Sequence, residues 1–320
     1  MSFRLPLQRK TFLTGLAAAA LVEPRLAAAQ GTDLNVAYIP FDPDAVAVYA
    51  RDRGFFKAAG INPNLTPVQG AGIISAGLLA GSFDIGTMSI GTLAAARLRG
   101  VPLLLVAPSG AITDASRDDG IFVRTNSSIH TAADLNGKTV GIFALRNLQH
   151  AVFLQWIDQH GGDSNSVNFI EVPLPQAAPA LDAGRVDAIF LAEPFISMNQ
   201  SKLRVIGHYW ESIARPALSL GYCATESWLA KNGALATKFD GAISKAAIWA
   251  NGHHAETAPI VAALTKMDPA VAEHMTRSSY GTMISASTLQ PGIDAMVKHH
   301  FLEKSVDAND LIWRPDAKSA

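Results

Sequence analysis

Residues 182–195 read DAGRVDAIFLAEPF, and residues 79–92 read LAGSFDIGTMSIGT. In each stretch an Ala-Gly pair is followed three residues later by an aspartate, Asp187 or Asp84. An apolar run comes next, and a polar side chain closes it: Glu193 in one stretch, Ser89 in the other. A short apolar run bounded by Gly and Pro reads as a strand buried on both faces. Two such strands with the same approach indicate that the chain repeats itself.

The repeat extends outward from both stretches. In the first copy, strands are expected at 34–40, 62–70, 83–89 and 101–108, and helices at 46–60, 73–82 and 90–100, the first and last of them ending in glycine. In the second copy, strands are expected at 138–144, 167–173 and 186–192. Helices fall at 147–162, with Asn147 as N-cap, and at 175–185, with Pro175 in the first turn. Val36 matches Val140, Asn64 matches Asn168, Gly81 matches Gly184 and Asp84 matches Asp187. The offset is 104 residues, falling to 103 after one deletion. Right-handed βαβ crossovers place each copy in a mainly parallel sheet flanked by helices. Ligands bind such sheets at the carboxyl ends of the strands. The segments that leave the strands are therefore the ones to read for function: IPFDPDA, VQGAGI, TMSIGT, IFALRNL, VPLPQA and AEPFI.

The remaining chain joins the copies. GIFVRTNSS (120–128) reads as a strand leading out of the first lobe, and ALSLGYCATES (217–227) as a strand leading back. The region after Trp228 is helical by pattern and is expected to cover the first lobe. The division is thus 30–122 for the first part of lobe 1, 123–216 for lobe 2, and 217–320 for the return to lobe 1. Two connecting strands make a hinge suited to closure.

Composition is consistent with this reading. A chain of 320 residues that is 49% hydrophobic can bury a large core in two lobes. A net charge of −1 gives no footprint for nucleic acid, and one cysteine allows neither a disulfide framework nor a thiolate metal cluster. Residues 1–29 combine Arg4, Arg9 and Lys10, an apolar run, and Ala27-Ala28-Ala29 before Gln30. This is the pattern of a cleavable export signal, too short to span a bilayer. Gln8-Arg9-Lys10-Thr11-Phe12-Leu13 is similar to a twin-arginine signal with Lys for the second Arg, so Sec and twin-arginine export both stay open. Removing the signal takes away four cations and one anion and leaves a formal charge of −4. No cysteine near the cleavage site offers a lipid anchor.

The segments ARDRGFFKAAGI, LLAGSFDIG, DLNGKTVGI, the helix ending WIDQHGGD, and ALDAGRVDAIFLAEPF resemble, in order and spacing, the periplasmic substrate-binding proteins of ABC importers. The type is that of nitrate, sulfonate and taurine importers, including the NMT1/THI5-like branch. The resemblance implies an α/β, two-lobed periplasmic-binding-protein fold of type II that closes on one small molecule. It also implies a monomer without cofactor or metal that hands its ligand to an inner-membrane permease with its ATPase. The ligand-holding groups it implies are Phe41 and Asp42, Gly70-Ala71-Gly72, Ser89, Arg146 and Asn147, and Glu193. Sulfonates, carboxylates and aminopyrimidines all stay open as ligands. Two other roles stay open as well: a pyrimidine-synthesis enzyme of the THI5 type, although its cysteine-rich iron-binding run is missing, and a sensor for a membrane receptor.

Each candidate group has a plainer reading beside the functional one. Gly70-Ala71-Gly72 is either an anion cradle at a helix start or a tight turn. The run GAGIIS is only half a dinucleotide fingerprint, because Ser75 stands where the third glycine belongs and no acid ends the next strand. Ser89 either donates to a ligand or caps a helix. Arg146, placed where a helix dipole favours anions, is either a bidentate contact for a carboxylate or sulfonate or a surface arginine. Glu193, at the end of an apolar strand, is read as a cleft residue ahead of an ion-pair partner. Phe41 stacks on a ligand or packs in its loop. His253-His254 and His299-His300 are read as solvent-exposed, since adjacent helical residues make poor chelates. Cys223 is read as a small buried hydrophobe. No catalytic constellation is found.

Overall fold

Two five-stranded sheets organise the chain, one for each copy of the repeat. The computed structural model describes Met1, residues 31–68 and residues 70–315. Apart from Met1, the expected export signal lies outside the described residues.

The first lobe begins with β1 (Thr32–Tyr38). Two helices follow where one was expected, α1 (Val46–Asp52) and α2 (Phe55–Ala58). Between them Gly54 takes a φ of 78°, a conformation that side chains other than glycine rarely adopt. Then come β2 (Ile61–Pro67), α3 (Ala71–Ala80), β3 (Ile85–Ser89), α4 (Ile90–Leu98) and β4 (Leu103–Pro108). The short β5 (Gly110–Ile112) leads out of this lobe. The second lobe holds β6 (Asp119–Arg124), β7 (Thr139–Ile142), α5 (Leu148–Gln159), β8 (Asn168–Glu171), α6 (Leu174–Asp182), β9 (Ala188–Ala192), α7 (Phe195–Asn199) and β10 (Leu203–Gly207). The chain returns through β11 (Ala217–Leu218) and β12 (Leu220–Thr225). It ends with α8 (Glu226–Gly252), α9 (His254–Thr265), α10 (Pro269–His274), β13 (Ser279–Tyr280) and α11 (Ala286–Lys298).

The sheets have matching topology. The first runs β2-β1-β3-β12-β4 and the second β8-β7-β9-β6-β10. In each, three parallel strands are followed by one antiparallel strand supplied from across the connection, β12 or β6. The repeat seen in the sequence is realised residue by residue. Asp84 Oδ2 accepts the Asn35 backbone N–H at 2.8 Å, and Asp187 Oδ2 accepts that of Thr139 at 2.9 Å. Val36 pairs with Ile85 and Val140 with Ala188 at equivalent register. Gly81 and Gly184 both end their helices at positive φ, 73° and 69°.

The connections differ from expectation in one respect. The segment expected to lead outward, 120–128, begins with β6 and lies within the second sheet, so the boundary expected at 122/123 falls inside a strand. The crossing itself is a small third sheet, β11-β5-β13, in which Ala217 pairs with Ile112 and Ser279 with Ala111. From Gly31 onward the chain forms one compact unit. A continuous core contains Ile74 and Leu93 of the first lobe, Val140 and Phe153 of the second, and Leu289 and Met296 of α11. Helix α8 covers the first sheet as expected, with Phe239 and Ile243 packed near Val36 and Tyr222. Helix α11 does more than cover the first lobe, because it packs against both α4 and α5. No described helix is long and apolar enough to cross a membrane.

Candidate functional site

The carboxyl ends of the two sheets face each other. A Cβ built on Gly91, in the first turn of α4, would stand 3.2 Å from the Leu148 Cβ, in the first turn of α5. Those helices start at the ends of β3 and β7. A second contact joins the lobes at the ends of β1 and β9, through the extended segment Thr276–Ser278. The Thr276 N–H donates to Glu193 Oε1 at 3.2 Å. The Arg277 guanidinium donates to both oxygens of Asp42, at 2.9 and 2.7 Å. The Ser278 hydroxyl donates to Asp118 Oδ2 at 2.6 Å and its N–H to Asp42 Oδ2 at 3.0 Å.

The expected site residues fall into three groups. Ser89 and Asn147 are N-caps, accepting the Thr92 and His150 N–H groups at 3.1 and 2.8 Å. Their helices meet at the Gly91–Leu148 contact. Asp42 and Glu193 form the second group, brought together by residues 276–278. Asp42 is buried and also accepts from the Tyr280 hydroxyl at 2.6 Å. Glu193 is half-buried and caps α7 through the Ser197 N–H at 3.0 Å and hydroxyl at 2.9 Å. It makes no ion pair among the described residues. Gly70, Ala71 and Gly72 stand apart from both groups. They open α3 with no side-chain cap, and a Cβ at Gly70 or Gly72 would meet nothing within 4 Å. The first N–H groups of a helix lack intrahelical partners, so this end offers donors to whatever approaches it.

Two further expected residues sit at strand ends. Phe41 is half-buried at the start of the turn after β1. Arg146 has a φ of 56°, and its N–H donates to His150 Nδ1 at 3.0 Å. Its guanidinium donates to the His300 carbonyl at 2.9 Å and lies 4.9 Å from the Phe301 ring centre. His299, expected in solvent, has a side chain only 9% exposed, 4.0 Å from Asp158. Cys223 is buried in β12 as expected, and burial pushes its thiol well above the ordinary range.

Several carboxyls around the hinge are shifted by burial. Asp44 is pushed up to about 7 by desolvation, against hydrogen bonds from Thr87, the Ile39 N–H and Ser109. Asp119 is raised to about 7 by desolvation and the neighbouring Asp118, against Trp210 and Tyr209. Asp118 is itself raised, by desolvation and the charges of Asp42 and Glu193, against the Ser278 hydrogen bond. No local sequence pattern marks the Arg277 and Ser278 contacts. Asp42 and Arg277 are 235 residues apart, and Arg277 lies past the end of α10 in a region expected to be helical.

Comparison with known proteins agrees with this architecture. The NMT1/THI5 like family model matches residues 44–257. No curated protein gives a significant match. Among solved structures, the periplasmic aliphatic sulphonate binding protein SsuA from Escherichia coli superposes with a TM-score of 0.73 at 20% identity, over 89% of this chain and 92% of that one. A Candida albicans protein described as having the generic periplasmic binding protein fold gives 0.66 at 16% identity, over 89% and 97%. The desulfurization enzyme DSZB gives 0.64 at 16% identity, over 88% and 96%. These likenesses establish the two-lobed periplasmic-binding-protein fold. Together with the family match over two thirds of its length, they place the chain in the NMT1/THI5-like family.

Proposed function

We propose that this protein is an extracytoplasmic solute-binding protein, which captures one small organic molecule between its lobes and delivers it to the permease of an ABC importer. The observation that carries this reading is the facing of two equivalent sets of strand ends across a three-stranded hinge. Each set supplies helix N-termini and loop side chains, and the hinge lets the sets approach. The ligand is a sulfonate, a carboxylate or an aminopyrimidine-like molecule. It is held by the N–H groups of Gly70-Ala71-Gly72, by the N-cap turns of Ser89 and Asn147, and by Phe41, with Glu193 at the lobe contact. Export by residues 1–29 would deliver an unanchored monomer to the periplasm. The solute-binding names of structural relatives, SsuA among them, support the same role.

The fold also hosts chemistry in DSZB. In this chain an enzymatic reading has less support. The one cysteine is fully buried with a raised pKa, the reverse of what a thiolate nucleophile needs. No group of three metal-ligating side chains occurs among the described residues.

The test is a thermal-shift screen of residues 30–320 against sulfonates, carboxylates, aminopyrimidines and nitrate. A ligand at 100 times its Kd adds about 2.7 kcal/mol, or a few degrees in a chain this size. A shift confined to one chemical group supports capture and identifies the class. No shift with any member would count against the reading.

A further inference from the structure

We infer that the cleft takes a ring-bearing, mainly apolar organic molecule and not a small hydrophilic oxyanion, a conclusion that rests on the binding-protein reading and narrows its ligand. The six segments that leave the strands contain a single cation, Arg146, against three carboxylates, Asp42, Asp44 and Glu193. Arg146 is turned away, onto the His300 carbonyl and the Phe301 ring. Arg277, which reaches these strand ends from the extended segment after α10, is consumed by Asp42, and its side chain is only 3% exposed. Among the described residues, these segments therefore present no free guanidinium or ammonium to an anion, and Arg117, exposed just before β6, donates to the Asp114 and Ser116 carbonyls at 3.1 and 2.6 Å. A charged head group would find only neutral donors in these segments, helix N–H groups and side chains such as Gln176 and Asn147.

The same segments expose apolar side chains that globular surfaces ordinarily cover. Phe143 and Leu145, directly after β7, are 38% and 39% exposed, and Ile73 in the first turn of α3 is 53% exposed. Phe143 already packs against Phe190, with ring centres 5.5 Å apart, so its outer face is held in place for stacking. Exposed apolar groups at the strand ends, where this fold class binds ligands, mark a surface that is buried on binding.

The test is isothermal titration of residues 30–320 with probes that keep one head group and vary the body: methanesulfonate, benzenesulfonate and naphthalene-2-sulfonate, with nitrate and taurine alongside. Affinity is expected to rise about tenfold with each added ring, from the apolar area removed from water. The double substitution Phe143→Ser and Leu145→Ser should lower the naphthalene-2-sulfonate affinity at least tenfold. Ile248→Ser, exposed on α8, should leave it unchanged. Tight binding of nitrate, taurine or methanesulfonate with no gain from added rings would overturn the inference while leaving solute capture intact. Absence of binding by both ring-bearing probes would overturn the inference, while solute capture is decided separately by the thermal-shift screen, which also covers carboxylates and aminopyrimidines.

Discussion

Removing Arg277 should be among the most costly single changes in the protein. Its guanidinium donates twice to Asp42, and also to Thr257 Oγ1 at 3.0 Å, with the side chains of the ion pair only 3% and 9% exposed. Arg277→Met keeps the length of the side chain but leaves the Asp42 carboxylate buried, with the Tyr280 hydroxyl, the Ser278 N–H and the more distant Tyr49 hydroxyl as its remaining donors. Breaking a buried pair in this way costs about 3–5 kcal/mol, because the remaining charge is uncompensated. Asp42→Ala should cost a similar amount, since it strands the guanidinium. The double variant should cost less than either single variant, about 1–3 kcal/mol, because no buried charge is left and the residual penalty is that of unpaired neutral donors. The expected coupling between the two sites is therefore about 3 kcal/mol or more. Urea unfolding of the four proteins, read from midpoints at constant slope, measures it. Additive costs, or a single-variant loss below about 1 kcal/mol, would refute the reasoning, since they would mean that the pair is solvated and not buried.

Three further outcomes follow from the geometry. Asp44 has its folded pKa raised to about 7, above the unfolded value, so the fold favours the neutral acid. Its contribution is greatest at low pH and is lost as pH rises from about 4 to about 7. Asp44→Asn should remove that slope and stabilise the protein at pH 8 relative to wild type, as measured by thermal melts across the range. Asp84→Ala should cost more than Asp187→Ala, because Asp84 also accepts the Trp228 indole N–H at 2.8 Å while Asp187 holds the Thr139 N–H. Each lost bond is worth about 0.5–1.5 kcal/mol, and denaturant midpoints report the order. Gly91→Val should cost about 1–3 kcal/mol by overpacking, since a Cβ there would stand 2.5 Å from Met296 Sδ and 3.2 Å from Leu148 Cβ. It should also weaken any ligand that requires α4 and α5 to approach, which the same titrations would detect.

The repeat was legible because it is carried by local signals that tertiary structure does not override. Gly81 and Gly184 need positive φ, Asp84 and Asp187 need a particular backbone donor, and β9 needs apolar residues on both faces. Ser89 and Asn147 were equally readable as caps, because capping depends on the next three residues. The helix break at Gly54 was hidden because helical spacing continues on both sides of it. The Arg277–Asp42 pair and the turning of Arg146 onto Phe301 depend on chain segments more than 150 residues away, and no local pattern marks them. The same holds for β6, which reads as a connecting strand until its partners β9 and β10 are known.

The most direct test of capture between the lobes is a crystal structure of residues 30–320 with the ligand that gives the largest thermal shift. The account predicts density at the facing strand ends, against Phe143 and the first turn of α3, with the lobes joined by the β11-β5-β13 hinge. Density confined to an outer face of either lobe, such as the surface of α8 around Asp240 and Trp313, would contradict it.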